Sequence, residues 1–262
     1  MSSPDAALGS EVQLWCVPAL PLVRPGDDLG ALIGDALARS QHGLIAGDVL
    51  IVAQKIVSKA ENRYVDLAHV EPGAEAKRLA QIVRKDARLV EVILGESVRI
   101  VRAVPDILVV EHRLGLVMAN AGVDQSNLGP WDGLEPVLLL PHDPDESARQ
   151  LRAQMQRRFG CPMAVIINDS FGRPWRQGTV GVAIGVAGLQ ALVDLRGRAD
   201  LSGRMLRVSE VAVADEIAAA ASLLMGQAQE GRPVVLMRGL QPPEHEGGVR
   251  ALLRPAQQDL FR

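Results

Sequence analysis

Apolar and polar residues alternate over residues 12–17, placing Val12, Leu14 and Cys16 on one face of a strand that Pro18 ends. Turns at Pro21, Pro25 and Gly26 follow. The spacing then becomes helical: Asp27-Asp28 opens a helix to about Ser40, with Leu29, Leu32, Ile33 and Leu37 on one face. Gly47-Asp48 introduces an apolar strand over residues 49–57. Its first five positions do not alternate, as in a strand buried on both faces. Helical spacing returns at 75–86, with Ala76, Leu79, Ala80 and Val83 inward, and again at 88–94, where Gly95 is the stop. Strands at 107–111 and 116–119 flank a turn at 113–115, and a loop covers 120–133. Residues 147–159 predict an amphipathic helix with Ala148, Leu151, Met155 and Phe159 in one stripe and Gly160 after it.

A β-rich run at 164–168 then halts at Asn168-Asp169-Ser170, and a glycine loop with Arg173 and Arg176 follows. Residues 180–189 are apolar and glycine-rich, which fits a strand approached closely by other backbone. Residues 206–213 alternate as a strand. Residues 214–225 form a strong helix with Asp215 and Glu216 in its first turn, where acids favour the helix dipole, and Gly226 ends it. A last strand covers 234–237, before a polar, partly helical tail. Strands and helices interleave without repeats, a pattern that supports a mixed α and β fold. The segment 136–145 is the weakest candidate for a boundary and reads equally as a surface loop. Residues 1–10 read as a disordered start, and 11–262 as the folded unit.

Hydrophobic residues make up 48% of the 262 positions but aromatics only 3%, so Val, Leu, Ile and Ala must build the core. A net charge of −3 and the scarcity of stacking aromatics argue against a nucleic-acid partner. No apolar run is long enough to span a bilayer, and the first residues lack the features of a signal peptide. Cys16 and Cys161 stand apart from other metal ligands, which excludes a zinc site and fits a reduced, cytoplasmic setting. The five histidines are scattered and read as surface residues.

Two stretches carry candidate chemistry. Asp124, Ser126 and Asn127 supply oxygens for a metal and a nucleotide, or merely form a solvated Asx turn. Asp169 and Ser170, at the end of a buried strand, are either hard-cation ligands or a loop cap. Gln54, Lys55 and Lys59 sit at a strand end, where the lysines either neutralise phosphate or remain exposed. The glycines of 226–231 follow a helix, not precede one, and neither a P-loop nor a GxGxxG pattern occurs.

The segments Leu20-Pro21-Leu22-Val23, Gly47-Asp48 with Val57-Ser58-Lys59-Ala60-Glu61, Asn120-Ala121-Gly122-Val123-Asp124 with Ser126-Asn127, Asp169-Ser170 with Gly172-Arg173, and 214–219 with Leu224-Met225-Gly226 occur in that order. Together they closely resemble the coenzyme F420-0:L-glutamate ligase family, over roughly residues 12–240. The resemblance implies a single-domain bacterial form lacking a C-terminal flavin-binding domain. It also implies an α+β fold class with mixed sheets and helices, the two-domain γ-glutamyl ligase fold, and an intertwined homodimer with active sites near the subunit interface. It implies GTP as co-substrate, Mg²⁺ or Mn²⁺ as cofactor, and K⁺ as an auxiliary cation. Asp124, Asp169 and Ser170 match metal ligands. Leu20, Pro21, Leu22, Val23, Gln54, Lys55, Lys59, Asn127, Met225, Gly226, Gln227, Ala228, Gln229, Glu230, Gly231 and Arg232 match GTP contacts. Gln227 stands where archaeal members carry a metal-binding glutamate, so a second metal there should be held more weakly or through water. Lys55 replaces a small polar residue.

The reaction so implied transfers the GTP γ-phosphoryl group to a carboxylate of F420-0, and L-glutamate attacks the acyl phosphate to give F420-1 and then F420-2. Lys59, Arg173 and Arg176 are candidate charge stabilisers, by inference from their residue type. Three other readings stay open: a GTP-dependent ligase for another acidic acceptor, a catalytically weakened GTP-binding protein, and a metal-dependent phosphohydrolase.

Overall fold

The computed structural model describes residues 11–18, 20–128, 134–240 and 245–259. The expected disordered start and the last five positions of the expected 120–133 loop lie outside these. In chain order, β1 (Gln13–Cys16) precedes α1 (Leu29–Arg39). Asp28 caps α1 by accepting from the Ala31 amide, and the helix buries Leu29, Ile33 and Leu37. Then come β2 (Val49–Ala53), α2 (Gln54–Ala60), β3 (Tyr64–Asp66), α3 (Ala74–Val83) and α4 (Ala87–Gly95). They lead to β4 (Ser97–Val104), β5 (Ile107–His112), β6 (Val117–Ala119), β7 (Pro136–Leu138) and α5 (Pro144–Phe159). Asp143 caps α5, Pro144 opens it, and Gly160 closes it in the left-handed conformation. The last elements are β8 (Ala164–Arg173), β9 (Arg176–Ala187), β10 (Val193–Asp194), β11 (Glu210–Val211), α6 (Val213–Met225) and β12 (Val234–Arg238). Single helical turns at Val249–Leu252 and Ala256–Gln258 follow, as the tail predicted.

A five-stranded mixed sheet, ordered β1-β12-β2-β8-β9, carries the fold; only β2 and β8 run parallel. Alternate residues of its central strands feed two cores. Leu50, Val52, Val165 and Ile167 pack with Ile33 and Leu37 of α1 and Leu151 and Met155 of α5. Val49, Ile51 and Ile166 pack with Ile217, Ala218 and Ala221 of α6. The non-alternating start of β2 is thus a strand buried on both faces, as expected. A third core forms where α3 and α4 cover Leu108 and Val110 of the antiparallel sheet β4-β5-β6. Asp48, fully buried, holds Arg238 through two bonds of 2.8 Å and so fastens the end of β12 to the entry of β2.

Several expectations need correction. The strand predicted over 49–57 ends at Ala53, and α2 begins at Gln54. Ile56 and Val57 are β-branched, but Ser58 Oγ donates to Gln54 Oε1 across one helical turn at 2.9 Å, and Gln54, Ile56, Val57 and Ser58 are all buried. The run at 164–168 does not halt at Asp169: β8 continues to Arg173, and Pro174-Trp175 turn it into β9. The supposed glycine loop is therefore the tip of a long hairpin. Of the strand expected at 206–213 only Glu210–Val211 pairs, with β10. The proposed boundary at 136–145 is neither linker nor surface loop, since Val137, Leu138, Leu139 and Leu140 are buried. His112 is fully buried, against the surface placement expected of the histidines. The close backbone approach expected along 180–189 is present: a side chain at Gly181 would meet the carbonyl of Ala218 in α6.

Candidate active site

A cleft of about 1660 Å³ opens where the C-terminal end of β2, the upper half of the β8–β9 hairpin and the end of α6 meet the sheet β4-β5-β6. Every site residue expected from the sequence lines it, from Leu20–Val23 through Gln54, Lys55, Lys59, Asp124, Asn127, Asp169, Ser170, Arg173 and Arg176 to the segment 225–232.

The helical start at Gln54 decides where the cations stand. Lys55 and Lys59 lie one turn apart on α2 and both reach the segment 124–127. Lys55 Nζ lies 2.6 Å from Asp124 Oδ2, and donates to Ser126 Oγ at 2.9 Å and the Ser126 carbonyl at 3.0 Å. Lys59 Nζ donates to the Asn127 carbonyl at 2.7 Å. Asn127, in the left-handed conformation, donates from Nδ2 to the Ala228 carbonyl at 3.1 Å, tying this segment to the loop after α6. Asp124 Oδ1 meanwhile accepts from the amide and hydroxyl of Ser126. The Asx turn is thus present, and its residues line the cleft. Burial favours the neutral Asp124 carboxyl, but the hydrogen bonds of Lys55 and Ser126 outweigh it and hold its pKa below the usual range.

Asp169 has the opposite environment. Burial, with the charge of Asp124 adding to it, pushes its carboxyl up to about 7, although Ser170 donates its amide at 2.8 Å and Gln54 also hydrogen-bonds it. Burial and the neighbouring Lys55 lower the pKa of Lys59. Asn168, which the sequence reading passed over, is buried beside this pair. Its Nδ2 donates to Ser222 Oγ at 3.0 Å, while its Oδ1 has no partner. Only its position before Asp169 could have pointed to it. Asp215, expected to serve the helix dipole, also accepts from the Ala183 amide of β9 at 2.9 Å.

Could these residues hold a divalent cation? Two carboxylates close enough to repel, with the Ser170 hydroxyl lining the same cleft, are hard oxygen donors of the kind that suits Mg²⁺ or Mn²⁺, whereas Asn168 is turned to Ser222 of α6. Among the described residues no three His, Cys, Asp or Glu come together, so the carboxylates alone do not complete a shell. Gln227 is exposed at the rim of the cleft. The far end is apolar and basic. Val101, Ile107, Val109 and Val117 line it from the face of β4-β5-β6 turned away from α3 and α4, with Arg102, Arg173 and Arg176 alongside. Arg173 Nη1 is buried without a partner, a guanidinium nitrogen free for an acidic group.

Fold and cleft together define an α+β protein with one large cleft lined by acids, lysines and arginines. A family model for F420-0:gamma-glutamyl ligase matches residues 19–239; the chain belongs to this family and is a ligase. The chain is 49% identical to the coenzyme F420:L-glutamate ligase of Methanothermobacter thermautotrophicus, covering 96% of this chain and 99% of the relative. It is 47% identical to that of Methanopyrus kandleri, over 94% and 96% of the two chains. It is 40% identical to that of Archaeoglobus fulgidus, over 96% of each. Among the described residues no helix is long and apolar enough to cross a membrane.

Proposed function

We propose that this ligase joins L-glutamate to coenzyme F420-0 using GTP, through an acyl phosphate, giving F420-1 and then γ-linked F420-2. The observation that carries the reading is the meeting of Asp124, Asp169, Lys55 and Lys59 in one cleft, in a chain so similar to proteins named coenzyme F420:L-glutamate ligase. Amide formation from a carboxylate is uphill in water, so the acid must first be activated. Phosphoryl transfer needs positioning and charge stabilisation more than covalent help from the protein. Lys55 and Lys59 present ammonium groups from one rigid helix face, where they would meet the GTP phosphates. Asp124, Asp169 and Ser170 would hold Mg²⁺ or Mn²⁺, with K⁺ as a helper ion. A divalent ion held there would supply neutralisation of the charge that develops on the phosphates. Arg173 and Arg176 would orient the acceptor's carboxylate. The apolar wall of Val101, Ile107, Val109 and Val117 suits a flat ring system.

Mass spectrometry of products from F420-0, GTP and L-glutamate tests acceptor, reaction and tail length together. The expected products carry one and then two added glutamates, with one GDP per bond. Phosphate release without glutamate would instead mark a phosphohydrolase, and turnover only with a folate-like acid would mark another acceptor.

Assembly as a homodimer is part of the same reading. Leu201, Val208 and Leu223 are large, apolar and exposed on one chain, as a buried partner interface requires. Sedimentation equilibrium should return twice the mass of one chain; a monomer at micromolar concentration would exclude it.

A further inference from the structure

Lys55 spends all three of its N–H bonds on one small target: Asp124 Oδ2 at 2.6 Å, Ser126 Oγ at 2.9 Å and the Ser126 carbonyl at 3.0 Å. Three oxygens around one positive centre make the surroundings of a bound cation, and the ammonium sits among them. We propose that Lys55 is a built-in counter-ion that occupies Asp124 until a polyanion enters the cleft, so that divalent metal and nucleotide load together. This rests on the metal role given to Asp124 above.

Charge counting supports it. In the empty cleft two ammonium groups, those of Lys55 and Lys59, stand with the carboxyls of Asp124 and Asp169. Its cations already match its acids in number. A divalent ion arriving alone would have to displace Lys55 and then sit beside two cations in a half-buried site, where repulsion is poorly screened. A triphosphate reverses the balance. It brings the negative charge that the metal needs and offers Lys55 a new partner, which the flexible four-carbon stem of lysine can reach while α2 stays fixed. Lys59, held on the Asn127 carbonyl, makes no bond to Asp124 and keeps its place. Lys55 is thereby a specificity-determining residue for the order of loading.

The test is Mn²⁺ titration by calorimetry on the full-length wild type, Lys55→Met, Lys55→Arg and Asp124→Ala, each without nucleotide and with a non-hydrolysable GTP analogue. Lys55→Met should bind Mn²⁺ alone about tenfold more tightly than wild type, the usual scale of a coupling between two sites. The same variant should bind the analogue roughly tenfold more weakly, having lost a phosphate partner. Lys55→Arg keeps the charge and should bind Mn²⁺ alone as weakly as wild type. If Lys55→Met gains no Mn²⁺ affinity while Asp124→Ala loses it, the counter-ion proposal is overturned and the metal site stands. If Asp124→Ala binds Mn²⁺ as wild type does with the analogue present, the metal role itself fails and takes the proposal with it.

Discussion

Asp169→Asn should stop ligation and leave a protein at least as stable as the wild type. Asparagine matches the aspartate in shape and can still accept the 2.8 Å bond from the Ser170 amide, so β8 has no reason to move. What disappears is the ionised oxygen that would face the cation and the phosphates. A loss of ~10³-fold or more in product formation is expected, the scale on which charge-stabilising groups act in phosphoryl transfer. The stability half of the expectation follows from the raised carboxyl, near 7 in the fold against 3.8 unfolded. Below 3.8 the group is neutral in both states. As pH rises from there through 7, the unfolded chain ionises freely while the folded one resists, and stability drains away. Asparagine does not ionise, so the melting temperature of the variant should exceed that of wild type increasingly between pH 4 and 7. Turnover retained at saturating Mg²⁺ or Mn²⁺ would sink the assignment, and so would a melting temperature well below wild type at pH 7.

The largest effect on stability is expected far from the cleft, at Glu96. Its Oε2 alone gathers Arg63 Nη2 at 3.0 Å, Arg113 Nε at 3.1 Å and His112 Nε2 at 3.4 Å. The two arginines go on to the carbonyls of Leu140 and His142, so this oxygen joins α4, the entry to β3 and the β5–β6 turn to the approach of α5. Burial pushes the Glu96 carboxyl upward, but His112, Arg113 and Arg63 together outweigh it and hold it at about 2. Glu96→Gln leaves two arginines and a fully buried histidine without their acid, and should cost about 3 kcal/mol in urea unfolding. The sign with pH is the reverse of that at Asp169. The contribution is complete above the unfolded value of 4.5 and is lost as pH falls towards 2. The acid limb of the wild-type stability curve should therefore be steeper than that of Glu96→Gln across this window. Parallel limbs would show that Glu96 carries no such charge.

Much of the architecture was legible because single elements obey local rules. Asp28 caps a helix where polar residues precede an apolar stripe, and Gly160 ends one where the chain must turn left-handed, although Asp143 and Pro144 start that second helix three residues before the predicted Ser147. Legibility failed where local and tertiary preferences compete. Ile56 and Val57 favour a strand by their branching, yet the turn begun at Gln54 buries both in a helix. The polar end of β8 looked like a loop because nothing local announces that β9 will pair with it through Gly172. The cleft residues were gathered by the ordered resemblance; periodicity alone left each acid between a ligand and a cap. Asn168 was passed over because a buried unpaired oxygen is a property of three-dimensional packing, and no spacing encodes it.

The β8–β9 hairpin has one irregular step below Asp169. Ile167 pairs with Gly185 but Asn168 with Ala183, so Ile184 is an extra residue on β9. Side chains alternate along a strand, and that one residue sets which face every position above it presents. Deleting residue 184 would turn the cleft-facing residues of β9 over relative to Asp169 and draw Ile184's apolar volume out of the core, with no active-site residue altered. Chain length is therefore a functional variable below the pair Asp169–Val182. The Pro174-Trp175 tip, where no further strand pairs, itself lines the cleft between Arg173 and Arg176, so additions or losses there should act on the basic end of the cleft and leave the register at Asp169 unchanged.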